Sequence, residues 1–216
     1  MQQYKLVIFD WDGTLMDSVG RIVSSMQAAA KFASLDIPSD EQTKQIIGLS
    51  LPKGISVLFP QRTDLQEELL INHYKQQYIE LNHTPTPMFD HAIELLTRLN
   101  KTNQKIAVAT GKGRAGLQRV WQSTNTAHFF HASRCAEDAR SKPDPQMLTS
   151  LLAEFDVSAS EAVMIGDTSH DMKMAVNAGI DRIGVTMGVH DHKVLSQYQP
   201  KVIVDSLIEL QKILIT

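Results

Sequence analysis

The chain has 216 residues, 43% hydrophobic and 21% charged, with a formal net charge of −3. That length can bury a sizeable core, as one domain with an insertion or as two small domains, and the charge balance offers no general basic field to nucleic acid or an acidic membrane. Cys135 is the sole cysteine, which excludes an intramolecular disulfide and fits a reducing compartment.

In chain order, the first element is the apolar run 6–9, Leu-Val-Ile-Phe. It is too short for a signal peptide or a membrane span, so a cytoplasmic protein is expected. Residues 17–83 contain no convincing strand run. Within them 21–32 is helical in pattern, with Ile22, Met26 and Ala29 or Ala30 on one face, and 65–78 is similar through Leu69, Leu70, His73 and Tyr74. Pro38, Pro52 and Pro60 punctuate this stretch, and Lys53 falls in a loop-like piece between its helices. Thr84-Pro85-Thr86-Pro87 then reads as a stiff, extended return.

Beyond the return, short Val- and Ile-rich runs at 106–109, 163–165, 183–185 and 202–204 alternate with helix candidates at 90–100, 114–122, 145–155 and 169–178. Gly179 stands where a helix end favours a left-handed residue. Strand–helix alternation predicts a doubly wound, parallel α/β sheet. The expected organisation is an α/β core of residues 1–16 and 85–216, interrupted by a helical cap at 17–84.

In such a sheet, ligands gather beyond the carboxyl ends of the strands. The first run delivers Asp10-Trp11-Asp12-Gly13-Thr14 there, the second Thr110-Gly111-Lys112, and the third Asp167-Thr168 with Asp171 shortly after. Lys142-Pro143-Asp144-Pro145 precedes a helix. Several carboxylates in one place demand a cation. Oxygen ligands select a hard one, usually Mg²⁺. A cation, a lysine and a hydroxyl together suit a bound phosphate.

These four segments, in this order, resemble the signature of the haloacid dehalogenase superfamily in its phosphatase form, and within it the phosphoglycolate phosphatase-like group. The inserted helical stretch is similar to that family's small cap. The resemblance implies a Mg²⁺-dependent hydrolase of small phosphorylated metabolites that works through an aspartyl phosphate. It implies Asp10 as nucleophile and Asp12 as general acid and then base, with Thr14 helping to hold Asp12. Thr110 and nearby backbone N–H groups would bind the phosphoryl oxygens, and Lys142 would balance their charge. Asp10, Asp167 and the backbone carbonyl of Asp12 would hold Mg²⁺, with Asp171 orienting them from behind. Gly111 stands where many relatives have Asn, leaving a backbone N–H but no side-chain amide. Lys53 is the candidate cap contact to the leaving group. Lys112 and Arg114 lie close by and could touch substrate, but such residues more often form a solvated helix start; His190-Asp191-His192 reads as a solvated loop.

Other chemistries share this fold. Phosphomutase relatives carry a His early in the first cap helix, where this chain has Ile22. Phosphonate hydrolases share Trp11 and use a cap lysine, but have a small residue at the place of Asp12. Dehalogenases lack that acid. A non-catalytic regulatory module would have lost one of the motif residues, and all are present. Phosphoglycolate gives the group its label, while sugar phosphates and nucleotides stay open as substrates.

Overall fold

The computed structural model describes residues 4–215; residues 1–3 of the expected core, and residue 216, lie outside the described residues. Its centre is β1, Leu6–Phe9, every residue of which is fully buried. A strand buried on both faces needs a continuous apolar run, which is why this one does not alternate. β2 (Lys105–Ala109), β3 (Ala132–Arg134), β4 (Ala162–Gly166), β5 (Asp181–Val185) and β6 (Val202–Val204) complete a six-stranded sheet in the order β3-β2-β1-β4-β5-β6. All of its pairings are parallel. The order reverses at β1, which pairs with β2 on one side and β4 on the other, so a crevice opens at the carboxyl end of β1.

The helical segment between β1 and β2 holds α1 (Val19–Phe32), α2 (Asp40–Lys44), α3 (Leu51–Leu58) and α4 (Asp64–Gln76), with a π-helical turn over Gln77–Leu81. Met26, Ala29, Ala30, Ile55 and Leu70 form an apolar centre of its own. Capping boxes at Ser39 and Thr63 start α2 and α4. The outgoing and returning chains lie side by side: Asp17 N donates to Pro87 O at 2.8 Å, and Phe89 N to Leu15 O at 3.0 Å. The Pro-rich return at 84–87 thus leads into that pairing.

Around the sheet stand α5 (Ala92–Leu99), α6 (Arg114–Thr124), α7 (Gln146–Phe155), α8 (Ser169–Ala178), α9 (His192–Ser196) and α10 (Leu207–Leu214). Val7 and Phe9 face the layer of α5, α6 and α10, while Leu6 and Ile8 face α7 and α8, the period-two division of a central strand. Gly179 closes α8 in the left-handed conformation, at φ 70°.

Two parts of the sequence reading change. Lys53 is not on a loop: it lies in α3, which begins after Ser50, and Pro52 occupies the first turn, where a missing N–H costs nothing. Pro52 thus starts a helix instead of interrupting one. The edge strand β3 and the helices α2, α9 and α10 were not expected; β3 is three half-buried residues long and has no apolar run to announce it.

Candidate active site

The chain leaves β1 into a tight turn. Trp11 O accepts from Leu15 N at 3.0 Å and Met16 N at 3.1 Å, and Gly13 N donates to Met16 O at 2.8 Å. The turn needs glycine at position 13, where φ is +82° and an added Cβ would lie 2.2 Å from Asp167 Oδ2. Trp11 does not point to the crevice. It is fully buried, edge-on to Trp121 and Phe130, and anchors the turn in the core.

This geometry puts Asp10 at the bottom of the crevice, buried, with Lys142 Nζ 2.9 Å from its Oδ1. Among the described residues this ion pair is the sole polar side-chain contact of Oδ1, and Oδ2 has no hydrogen bond. Burial is the main cause that raises the Asp10 carboxyl to about 7; Lys142 opposes the rise, and Asp171 and Asp12 add to it. Lys142 Nζ also donates to Asp171 Oδ1 at 2.6 Å. Burial would discharge this ammonium, but the two carboxylates hold it well above its ordinary range.

Asp167, at the end of β4, is fully buried. Thr14 Oγ1 donates to its Oδ1 at 2.9 Å and Val189 N to its Oδ2 at 2.8 Å. Its pKa is well above the carboxylate range, first through burial and then through the charges of Asp171 and Asp10. Thr14 therefore steadies Asp167, not Asp12 as expected; the turn at Gly13 swings its hydroxyl toward β4. Asp12 is held instead by Ser18 Oγ, which donates to Oδ1 at 2.6 Å, and by Lys112 Nζ, 3.0 Å from Oδ2.

Carboxylate oxygens of Asp10, Asp167 and Asp171 lie within 4.8 Å of one another. Their free capacity differs. Asp171 commits Oδ1 to Lys142, and Oδ2 to the N–H and hydroxyl of Thr168. Asp167 keeps capacity at each oxygen, and among the described residues Asp10 has Oδ2 without a hydrogen bond. Buried, crowded and short of donors, this set fits a hard divalent cation at Asp10 and Asp167, with Asp171 behind them as the anchor of Lys142.

The remaining expected residues divide. Thr110, buried at the end of β2, accepts from Lys112 N at 3.2 Å and keeps its hydroxyl proton to give. Gly111 is where the helical segment touches the sheet: a Cβ there would lie 2.4 Å from Leu49 O and 2.5 Å from Gly48 O. An asparagine would hold that backbone away. Two further links flank the contact, Ser50 N to Ser141 Oγ at 2.9 Å and His170 Nε2 with Gln45 O at 2.9 Å. Asp10, Asp12, Thr110 and Gly111 line a cavity of about 550 Å³ roofed by α1, α4 and the 46–52 stretch.

Lys53 does not line that cavity; its side chain is exposed on α3. Lys112 does line it, with a side chain only 9% exposed, although it reads in sequence as a solvated residue. Its place two residues after Thr110 on the same strand end was the available signal. Ser18 carried none, because only the folded turn brings it back to Asp12. His190 is also buried, not solvated. Its Nδ1 accepts from Ser169 N at 2.9 Å, and desolvation lowers its pKa.

The haloacid dehalogenase-like hydrolase pattern matches residues 7–185. The chain is 32% identical over 209 residues to the probable phosphatase IndB of Dickeya dadantii (strain 3937), covering 95% of this chain and 91% of that one. It is 28% identical to a phosphoglycolate phosphatase of Vibrio parahaemolyticus, covering 98% and 96%. The crystal structure of a hydrolase from Pseudomonas syringae superposes with a TM-score of 0.87 at 25% identity, over 98% of this chain and 97% of that one. With its four motifs gathered at one sheet edge and nearly its whole length shared with these relatives, the chain belongs to the haloacid dehalogenase-like hydrolase family.

Proposed function

We propose that this hydrolase cleaves small-molecule phosphate monoesters through a phosphorylated Asp10, with residues 17–84 acting as a cap over the core. The observation that carries the reading is Asp10 itself. It is a buried carboxylate whose sole polar side-chain partner among the described residues is a lysine, and it faces a cavity. A structural aspartate would be satisfied; a nucleophile needs free electron pairs.

Asp10 attacks phosphorus, and the ester P–O bond breaks with its electron pair going to the leaving oxygen. Asp12 gives that oxygen a proton, then accepts one from the water that displaces Asp10 and returns its carboxylate. The pairing of Asp12 with Lys112 suits the second, proton-accepting half. Ser18 aims the carboxylate throughout. Thr110 offers its hydroxyl to a phosphoryl oxygen, and Lys142, immobilised by Asp171, faces the negative charge that develops beside Asp10. Asp10, Asp167 and the Asp12 carbonyl would hold Mg²⁺, which supplies further neutralisation of phosphoryl charge. The cap excludes bulk water from the phosphorylated residue.

The test is turnover of p-nitrophenyl phosphate with Mg²⁺ and with EDTA, together with mass spectrometry of acid-quenched Asp12→Ala. Activity that needs the metal, and a phosphorylated peptide containing Asp10, are expected. Full activity after chelation would remove the metal assignment. Slow turnover without any phosphopeptide would replace the covalent route with direct water attack.

A further inference from the structure

The two halves of the cavity differ in chemistry. The sheet side presents Asp10, Asp12, Thr110 and Lys112. The cap side presents Ile22, Met26, Ile47, Ile71, Tyr74 and Tyr78. Tyr74 and Tyr78 are stacked, with ring centroids 5.9 Å apart. Three cations line the cavity among the described residues: Lys75, Lys112 and Arg119. Lys112 is committed, at 3.0 Å from Asp12 and 4.9 Å from the centre of the Tyr78 ring. Lys75 is exposed at the rim, and Arg119, on α6, is half-buried near the Lys112 stem. Lys53 points elsewhere.

We infer that the leaving alcohol has an apolar, flat body in contact with the cap wall. This inference rests on the phosphatase reading. A carboxylate two bonds from the ester oxygen would be placed against the isoleucines and tyrosines and beside the Asp12 carboxylate. Lys112, the cation beside Asp12, is already its ion-pair partner, and a carboxylate drawing on it would leave Asp12 unpaired. Burying an unpaired charge against apolar side chains is costly, whereas each buried carbon of an apolar group is favourable. The cavity, at about 550 Å³, also has room for far more than a two-carbon group. The apolar wall is built from three separate pieces, α1, the 46–52 stretch and α4, and closes only because Gly111 lets the 48–49 backbone sit on the sheet edge.

The experiment compares kcat/KM for benzyl phosphate, ethyl phosphate and phosphoglycolate with the full chain in Mg²⁺. Benzyl and ethyl phosphates are both esters of primary alcohols of similar acidity, so their ratio reports contact with the cap and not leaving-group chemistry. Benzyl phosphate is expected to exceed each of the others by about tenfold or more. In Ile47→Ala, and in the half-buried Ile71→Ala should the first not fold, the benzyl-to-ethyl ratio should fall by roughly threefold or more. Benzylphosphonate should likewise compete better than ethylphosphonate, a readout of binding alone. Phosphoglycolate preferred over benzyl phosphate, or a benzyl-to-ethyl ratio near one, overturns the inference and leaves the phosphatase reading standing. No hydrolysis of these three or of p-nitrophenyl phosphate overturns both.

Discussion

The two walls of the cavity are held by different forces. On the sheet side, charged groups at zero or near-zero exposure are tied by short polar contacts: Lys142 to Asp171 at 2.6 Å, Thr14 to Asp167 at 2.9 Å, Ser18 to Asp12 at 2.6 Å. On the cap side the wall is apolar, and the contacts that dock it include two hydrogen bonds, the Lys112–Tyr78 contact and a backbone contact over Gly111. Buried ions tolerate little displacement, because each must keep its partners or suffer the desolvation penalty. Apolar surfaces slide at small cost. Chemistry is thus placed on the sheet, and the shape of the cavity is set by the helical segment.

The largest effect should come from the most constrained residue. Asp10→Asn is nearly isosteric and should keep the fold, yet lower kcat for p-nitrophenyl phosphate by roughly a thousandfold or more. Activity within tenfold of the parent would show that the sheet wall does not supply the nucleophile. Lys142→Ala removes the shared partner of two buried carboxylates and should cost about 3–5 kcal/mol in urea unfolding without metal. A loss below about 1 kcal/mol would mean that water reaches and solvates this wall.

The same crowding predicts a pH dependence confined to the metal-free protein. The Asp10 carboxyl rises from 3.8 to about 7 on folding, so the folded state favours its protonated form. The associated stability is fully present below about 4 and lost as pH climbs through about 7. In EDTA, Tm should fall over that window; Asp10→Asn should lessen the decline, leaving the share of Asp167, and saturating Mg²⁺ should flatten it. A flat profile in EDTA for the parent protein would remove the argument that this acid is short of a cation.

Two glycines sharpen the contrast between the walls. An added Cβ meets Asp167 at position 13 and the 48–49 backbone at position 111. Gly13→Ala also forces φ +82° on a residue with a side chain, so it should lose activity and several kcal/mol of stability together. Gly111→Ala should move only the cap, lowering kcat/KM about tenfold while changing stability by about 1 kcal/mol or less. Hydrogen exchange should then rise across residues 45–50. Equal damage from both substitutions would show the cap to be as tightly fixed as the sheet edge. The smallest effect belongs to Lys53→Ala, expected within about twofold in kcat/KM on any substrate because the residue is exposed on α3. A tenfold loss confined to carboxylated substrates would return Lys53 to the cavity.

The sequence by itself determined the sheet and the motif residues at its carboxyl edge. Strands buried on both faces must be short, uninterrupted apolar runs, so β1, β2 and β4 could be read off; β5 and the edge strand β6 were legible from their Val and Ile, while β3, Ala-Ser-Arg, has no apolar run. Parallel pairing brings the carboxyl ends of these runs to one edge, which gathers Asp10, Thr110 and Asp167 without any knowledge of contacts. Only the tertiary structure decided which side chains touch. Lys112 and Lys53 are alike as letters beside glycine and proline, yet one is drawn between Asp12 and Tyr78 and the other turns to solvent. Thr14 reaches Asp167, and Ser18 takes its place at Asp12, because the Gly13 turn rotates the chain in a way no spacing rule records. A strand's period is local and survives in the letters; the partner of a polar side chain depends on the path of chain segments far apart in sequence.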